Sequence, residues 1–376
     1  MKRGDDMTAE IHRDWGIDPK SLPVVLTPEA FPAMPSGSLE SIWGFAGKDL
    51  ATKDMTGIPV DFIANITFDE FTIWPPSHHL PTGFSPTEWI ETAKSPGLGI
   101  RSLHQKGITG KGVSVAVFDK PILPTHAEFR GHMHYHRVAE SQPGDDRLHF
   151  HGAACASILA GRTCGVAPGA DLFYFAVPDN GRNAHNYLLA IDELILVNES
   201  LPDNRKIRLV SISDGFGPGS DDEALWEKLV ERAEAAGLML IYSNRLRRSS
   251  FLWGGCAPYL DRDNPLEYKL ANHLVGKVNP ADVILIPSDC RTTAANWAND
   301  SYIYWGPGGF SWAIAYAAGL FTLALSIAPA LSYAKITESL VASKTPCGDG
   351  AFIVDPVKCV ETISSGCFQD DSVDGL

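Results

Sequence analysis

The stretch Gly107-Ile108-Thr109-Gly110-Lys111-Gly112-Val113-Ser114-Val115-Ala116-Val117-Phe118-Asp119 decides how this chain folds. A glycine-punctuated turn feeds a short apolar run, Val113 to Phe118, of the kind that forms strands covered on both faces. Four more runs share that texture: Leu172 to Val177, Ile207 to Ile212, Leu238 to Tyr242 and Val283 to Ile286. Helical patterns at about Gly152 to Ala160, Ala184 to Val197 and Asp222 to Ala236 fall between several of them. This βαβ alternation predicts an α/β fold, a doubly wound, mostly parallel sheet with helices on both faces.

Upstream the texture differs. Residues 1–95 are rich in Pro, Asp, Thr and aromatics, and Pro75-Pro76 and Pro81 break any long element. An irregular N-terminal extension is expected there, acting as a cap, a brace or a pro-segment, with the main domain over 96–376. With 45 acidic against 31 basic residues the net charge is -14, which argues against a phosphate-backbone binder, so no nucleic acid partner is expected. The polar start, Met1 to Glu10, has no secretory pattern behind it. The seven cysteines (Cys155, Cys164, Cys256, Cys290, Cys347, Cys359 and Cys367) form no CxxC pair and read as free thiols in a reducing compartment, hence a cytoplasmic protein. Nothing from Gly306 to Tyr333 carries a charge, a span long enough to cross a bilayer. Ser311, Gly319, Thr322, Ser326 and Pro329 interrupt it and no basic cluster flanks it, so a buried core helix and no membrane are expected.

In open parallel sheets, ligands gather at the carboxyl ends of strands and the amino ends of helices. Asp119 closes the first strand, His151 opens a run of small residues, Asn244 follows Leu238 to Tyr242, and Ser311 follows Gly308-Gly309 at the head of the long apolar helix. Singly these are a turn aspartate, a structural histidine, a turn asparagine and a helix-terminal serine. Together they supply a nucleophile (Ser311), its general base (His151), a carboxylate to orient that base (Asp119) and an amide for a developing oxyanion (Asn244).

The order Asp, His, Ser, with the residues around each, resembles the subtilisin-like serine proteases, the subtilases, over about residues 97 to 365. Gly107 to Asp119 is similar to the segment leading to the family's aspartate. His151-Gly152 with Gly165-Val166-Ala167-Pro168-Gly169-Ala170 resembles the histidine motif and the turn after it, and Gly309 to Gly319 has the framework of the serine motif. The resemblance implies a serine endopeptidase acting on peptides or proteins, with Ser213-Asp214-Gly215 lining the substrate cleft and no organic cofactor. Calcium is common in the family, but no ligand set for it is identifiable. Asp214 is expected to favour a basic substrate residue. Asp69 to Pro76 and Pro96 to Arg101 resemble the leader of a bacterial intracellular branch. The chain departs from the family at Phe310 for threonine, Ala315 for proline, Ser243 for glycine, and Lys120-Pro121 and Ala153-Ala154 beside the aspartate and histidine.

Three rival readings follow from the residues. His126, His132, His134, His136, His149 and His151 lie close in sequence, and alternation on a strand would set three imidazoles on one face for zinc or copper in a metal-dependent hydrolase. In that strand Met133 and Tyr135 would face the core. Phe310 beside the nucleophile would suit a catalytically silent fold that binds peptides. An α/β-hydrolase fits less well, because Gly309-Phe310-Ser311-Trp312-Ala313 lacks the second glycine of that family's nucleophile turn.

Overall fold

A computed structural model of the chain describes residues 16–32, 44–138, 148–178, 183–216, 219–271 and 278–366; Met1 to Glu10 and Cys367 lie outside them. Its strands run in chain order as β1 (Phe68–Asp69), β2 (Ser114–Asp119), β3 (Met133–Arg137), β4 (Asp171–Ala176), β5 (Ile207–Ile212) and β6 (Met239–Tyr242). There follow β7 (Phe251–Gly255), β8 (Lys269–Leu270), β9 (Ile284–Asp289), β10 (Arg291–Ala294), β11 (Tyr302–Trp305), β12 (Thr345–Pro346) and β13 (Phe352–Ile353).

The central sheet has the order β3-β4-β2-β5-β6, all its pairings parallel. Alternation along β2 explains why its sequence is apolar throughout. Val115 and Val117 face a core shared with the helices Phe150–Ala160 and Phe310–Ile327, while Ala116 and Phe118 face a second core under Ala184–Ser200 and Glu223–Ala235. A strand covered on both sides has no polar face to show. The uncharged helix Phe310–Ile327 packs inside the protein, 83% of it buried, as a core helix does.

The expected strand at Val283 to Ile286 exists as β9 but stands in a separate sheet, of order β12-β13-β9-β7-β8, in which β7 and β13 run parallel to β9. Between β6, four residues long, and β7 stand the helix Ser243–Arg248 and Ser250, which takes φ 60°.

In the described part of the extension, Leu26, Phe45, Met55, Ile63, Phe68 and Trp89, among others, build a core that they share with Cys164, Cys290, Tyr302 and Tyr304. It joins the domain as a strand, β1 pairing antiparallel with β11, which in turn pairs with β10. The Glu70 carboxylate accepts a hydrogen bond from the Tyr302 N–H at 2.9 Å, fixing the same seam.

Candidate active site

Asp119 is the last residue of β2, so its carboxylate leaves the sheet at the carboxyl edge. It is 4% exposed and accepts the Lys120 N–H at 2.8 Å. His151 sits in the first turn of the helix Phe150–Ala160, whose N-terminus is capped by His149 Nδ1 accepting the His151 N–H at 3.1 Å. Gly152 lets this helix approach the strands: a Cβ there would fall 2.0 Å from Tyr174 Oη and 2.7 Å from Lys120 O. The close approach brings His151 Nδ1 to 2.9 Å from each Asp119 carboxylate oxygen.

The pair is an ion pair. Burial works to lower the His151 imidazole, but the adjacent carboxylate, together with Cys155, overrides it and raises the pKa well above 6.5. Burial likewise works to raise Asp119, and His151 overrides it downward. Both partners therefore favour the charged form.

Ser311 is the second residue of the helix Phe310–Ile327, so its N–H is among the first-turn amides with no intrahelical acceptor. The turn before it is fixed from β9. Gly308 N–H donates to Asp289 Oδ1 at 2.8 Å, Gly309 N–H donates to Ser288 Oγ at 2.8 Å, and Ser288 Oγ returns a bond to Gly309 O at 2.7 Å. Gly309 takes φ 137°, a conformation open to glycine alone.

Residues 213–216, beyond the end of β5, are where the parts meet. The Ser311 hydroxyl donates to Ser213 O at 3.4 Å, and Ser213 Oγ donates to Ser311 O at 3.0 Å. The Asn244 amide donates to Phe216 O at 3.2 Å. Ser243, which replaces a glycine of the family pattern, donates its hydroxyl to Asp214 O at 3.0 Å. Asp214 keeps its carboxylate occupied, accepting Gly215 N–H at 2.8 Å and the Tyr187 hydroxyl at 3.2 Å.

Cys155 links the two halves, and the sequence reading passed over it as one small residue among several. It stands four residues after His151, one helical turn on the same face. Its Sγ lies 3.9 Å from His151 Nδ1, 3.2 Å from Ser213 Oγ and 4.0 Å from Ser311 O. Burial pushes its thiol up, so it sits there protonated. Trp312 packs edge-on against His151 with ring centroids 5.4 Å apart. Asp119, His151 and Ser311 are thus brought together, but the Ser311 hydroxyl and the His151 imidazole are not joined by a hydrogen bond: the serine hydroxyl points to the Ser213 carbonyl.

The histidines of the rival metal site do not converge. His132 Nε2 bonds Ala160 O at 3.0 Å, and His126, fully buried, bonds Ser301 O at 2.8 Å. His134 meets Asp171 at 2.9 Å and stacks on Phe173, and His136 stacks on Phe175. β3 does form, with Met133 and Tyr135 toward the core, but His132 precedes it, and of its own two imidazoles His134 pairs with Asp171 while His136 lies stacked on phenylalanine rings. The grouping of metal-ligating side chains found among the described residues is Asp119, His151 and Cys155.

Residues 110–245 match the sequence profile of the subtilase family, a span containing Asp119, His151, Ser213 and Asn244. Over those residues the chain is similar to the subtilases. Subtilisin-like protease 2 from Arthroderma benhamiae and from Trichophyton rubrum are each 32% identical over 135 residues, 35% of this chain and 30% of theirs. The chain therefore matches about a third of the length of these curated relatives. Ser311 lies beyond the matched span, and there the likeness is one of fold. A structure of the prenylagaramide maturation protease PagA superposes with a TM-score of 0.50 at 20% identity, covering 71% of this chain and 99% of that one. A structure of the subtilase cytotoxin SubAB assembly gives 0.53 at 16% identity, covering 74% and 96%. The likeness in fold thus extends past the matched residues.

Proposed function

We propose that the chain is a serine endopeptidase of peptides or proteins, acting in the cytoplasm. Ser311 attacks the scissile carbonyl, His151 takes and then returns the proton, Asp119 holds the imidazole, and Asn244 with the Ser311 N–H receives the oxyanion. The observation that carries this reading is the meeting of the Asp119–His151 ion pair and the Ser311 hydroxyl across Ser213 and Cys155. Rotation of the serine side chain away from the Ser213 carbonyl is the step that would engage the base, and apo sites are often loose in this way. The cytoplasmic assignment is supported by the six described cysteines, all free and buried.

Labelling with a fluorophosphonate followed by peptide mapping tests the reading. The adduct is expected on Ser311, abolished in Ser311→Ala and strongly slowed in His151→Ala. A folded protein that refuses the label would establish the second reading, a silent peptide-binding fold. That reading is motivated by the serine hydroxyl bonded to a carbonyl and by Phe310 beside it.

A further inference from the structure

The helix Ser243–Arg248 carries three arginines in a chain whose net charge is -14. Arg245 has partners, with Glu234 3.3 Å away and the Tyr333 ring 3.8 Å beneath its guanidinium. Arg247 is placed differently. Three residues after Asn244, it shares that residue's side of the helix. Its guanidinium carbon lies 4.5 Å from the Phe310 ring centroid and 5.7 Å from that of Trp253. The two rings themselves pack at 5.3 Å and are nearly buried. No carboxylate among the described residues forms an ion pair with it. A guanidinium stacked on an aromatic face keeps its edge donors free, and that edge is the fork that grips a carboxylate. Phe310 directly precedes Ser311 and Arg247 follows Asn244 by three residues on the same short helix, so both anchors of the fork are chain neighbours of the proposed nucleophile and oxyanion amide. This also gives a use to the phenylalanine that replaces threonine in the family's serine motif: it is the bed on which Arg247 rests. Asp214, by contrast, spends its carboxylate on Gly215 and Tyr187.

We infer that Arg247 reads a carboxylate on the substrate next to the scissile bond, which makes the chain selective for acidic peptides. This inference rests on the peptidase reading above. The test is hydrolysis of fluorescence-quenched peptides that differ only by Glu, Gln or Lys at either residue flanking the cleaved bond, each made as free acid and as C-terminal amide. Ser311 labelling is followed in the same preparations. The expected result is a kcat/KM preference of about tenfold for Glu over Gln, the range of one partly exposed charge-assisted contact. It should shrink with added salt, fall to near unity in Arg247→Gln and invert toward Lys in Arg247→Glu. A preference that follows the free terminal carboxylate instead of the side chain would keep Arg247 as the reader and assign it the chain end. A protein that labels and cleaves with equal Glu and Gln rates would overturn the inference and leave the peptidase reading standing. If the protein neither labels nor cleaves, the peptidase reading fails; equal anisotropy-measured affinity for the Glu and Gln peptides would then overturn the inference as well.

Discussion

His151 is held as a cation by the carboxylate beside it, which places the resting protein on the acid side of its own titration. A general base must be neutral, so kcat/KM should rise with pH through the elevated pKa, the acid limb centring above 6.5. Asp119→Asn leaves Cys155 as the remaining group opposing burial, which favours neutral imidazole, and should move that limb to lower pH while slowing turnover; a limb that stays in place would deny Asp119 its electrostatic role. The same shifts link to stability. The ion pair stabilises the fold between the depressed pKa of Asp119 and the raised pKa of His151, and its contribution is lost as pH leaves that window at either end. At Asn244 the expectation is kinetic. On the proposed mechanism, replacing it by Ala would remove one oxyanion donor and should lower kcat by about 100- to 1,000-fold with KM little changed, the magnitude known for the oxyanion asparagine of subtilisin. Unchanged turnover in Asn244→Ala would exclude the amide from the site.

At the level of elements, the site depends on how closely the helix Phe150–Ala160 can press on β2 and β4. Gly152 sets that distance. A methyl at this position would run into the buried Tyr174 hydroxyl and a backbone carbonyl, neither free to yield. Gly152→Ala should therefore cost about 1–3 kcal/mol by overpacking. It should also cut activity by more than the stability loss explains, because relief comes by moving His151 away from Asp119. A urea midpoint equal to that of the parent would show that the helix tolerates the methyl. This dependence was partly legible in sequence. The runs that became β2, β4, β5 and β6, and the helices between them, declare themselves because both faces of each strand are apolar, and the ends of those strands name Asp119 and Asn244. The hairpin of β10 and β11 did not declare itself, since Arg291, Thr292 and Thr293 are buried polar residues that break the apolar pattern. Contacts across the sheet left no mark either. The staple from Ser288 and Asp289 to the serine turn joins residues about twenty apart, and Arg247 on Phe310 joins residues 63 apart. The direction of the Ser311 hydroxyl is a rotamer, which no sequence pattern encodes.

For the whole molecule, the open choice at the sequence level was whether residues 1–95 cap, brace or serve as a removable leader, and the packing bears on it. Phe68 lies against Tyr304 with ring centroids 4.8 Å apart, and Trp89 meets Phe84 edge-on at 4.8 Å. Lys94 rests over the Tyr302 ring at 3.5 Å, and Thr292 N–H donates to Ala93 O at 3.0 Å. These contacts hold β10 and β11, and β11 ends at Trp305, three residues before the glycine turn that presents Ser311. The seam is thus continuous from the extension to the nucleophile. Removing residues 1–95 would bare Tyr302, Tyr304 and Cys290, all now nearly buried in the extension's core, and leave β11 without β1. A chain starting at Pro96 is therefore expected to aggregate or to unfold at clearly lower temperature than the full chain, and to lose fluorophosphonate labelling of Ser311 before it loses helix content. A leader that merely occludes the cleft predicts the reverse, a truncated protein of equal thermal stability that labels faster than the full chain. Calorimetry and labelling kinetics on the two proteins separate the brace from the leader, because only a brace couples the stability of β11 to the placement of the serine.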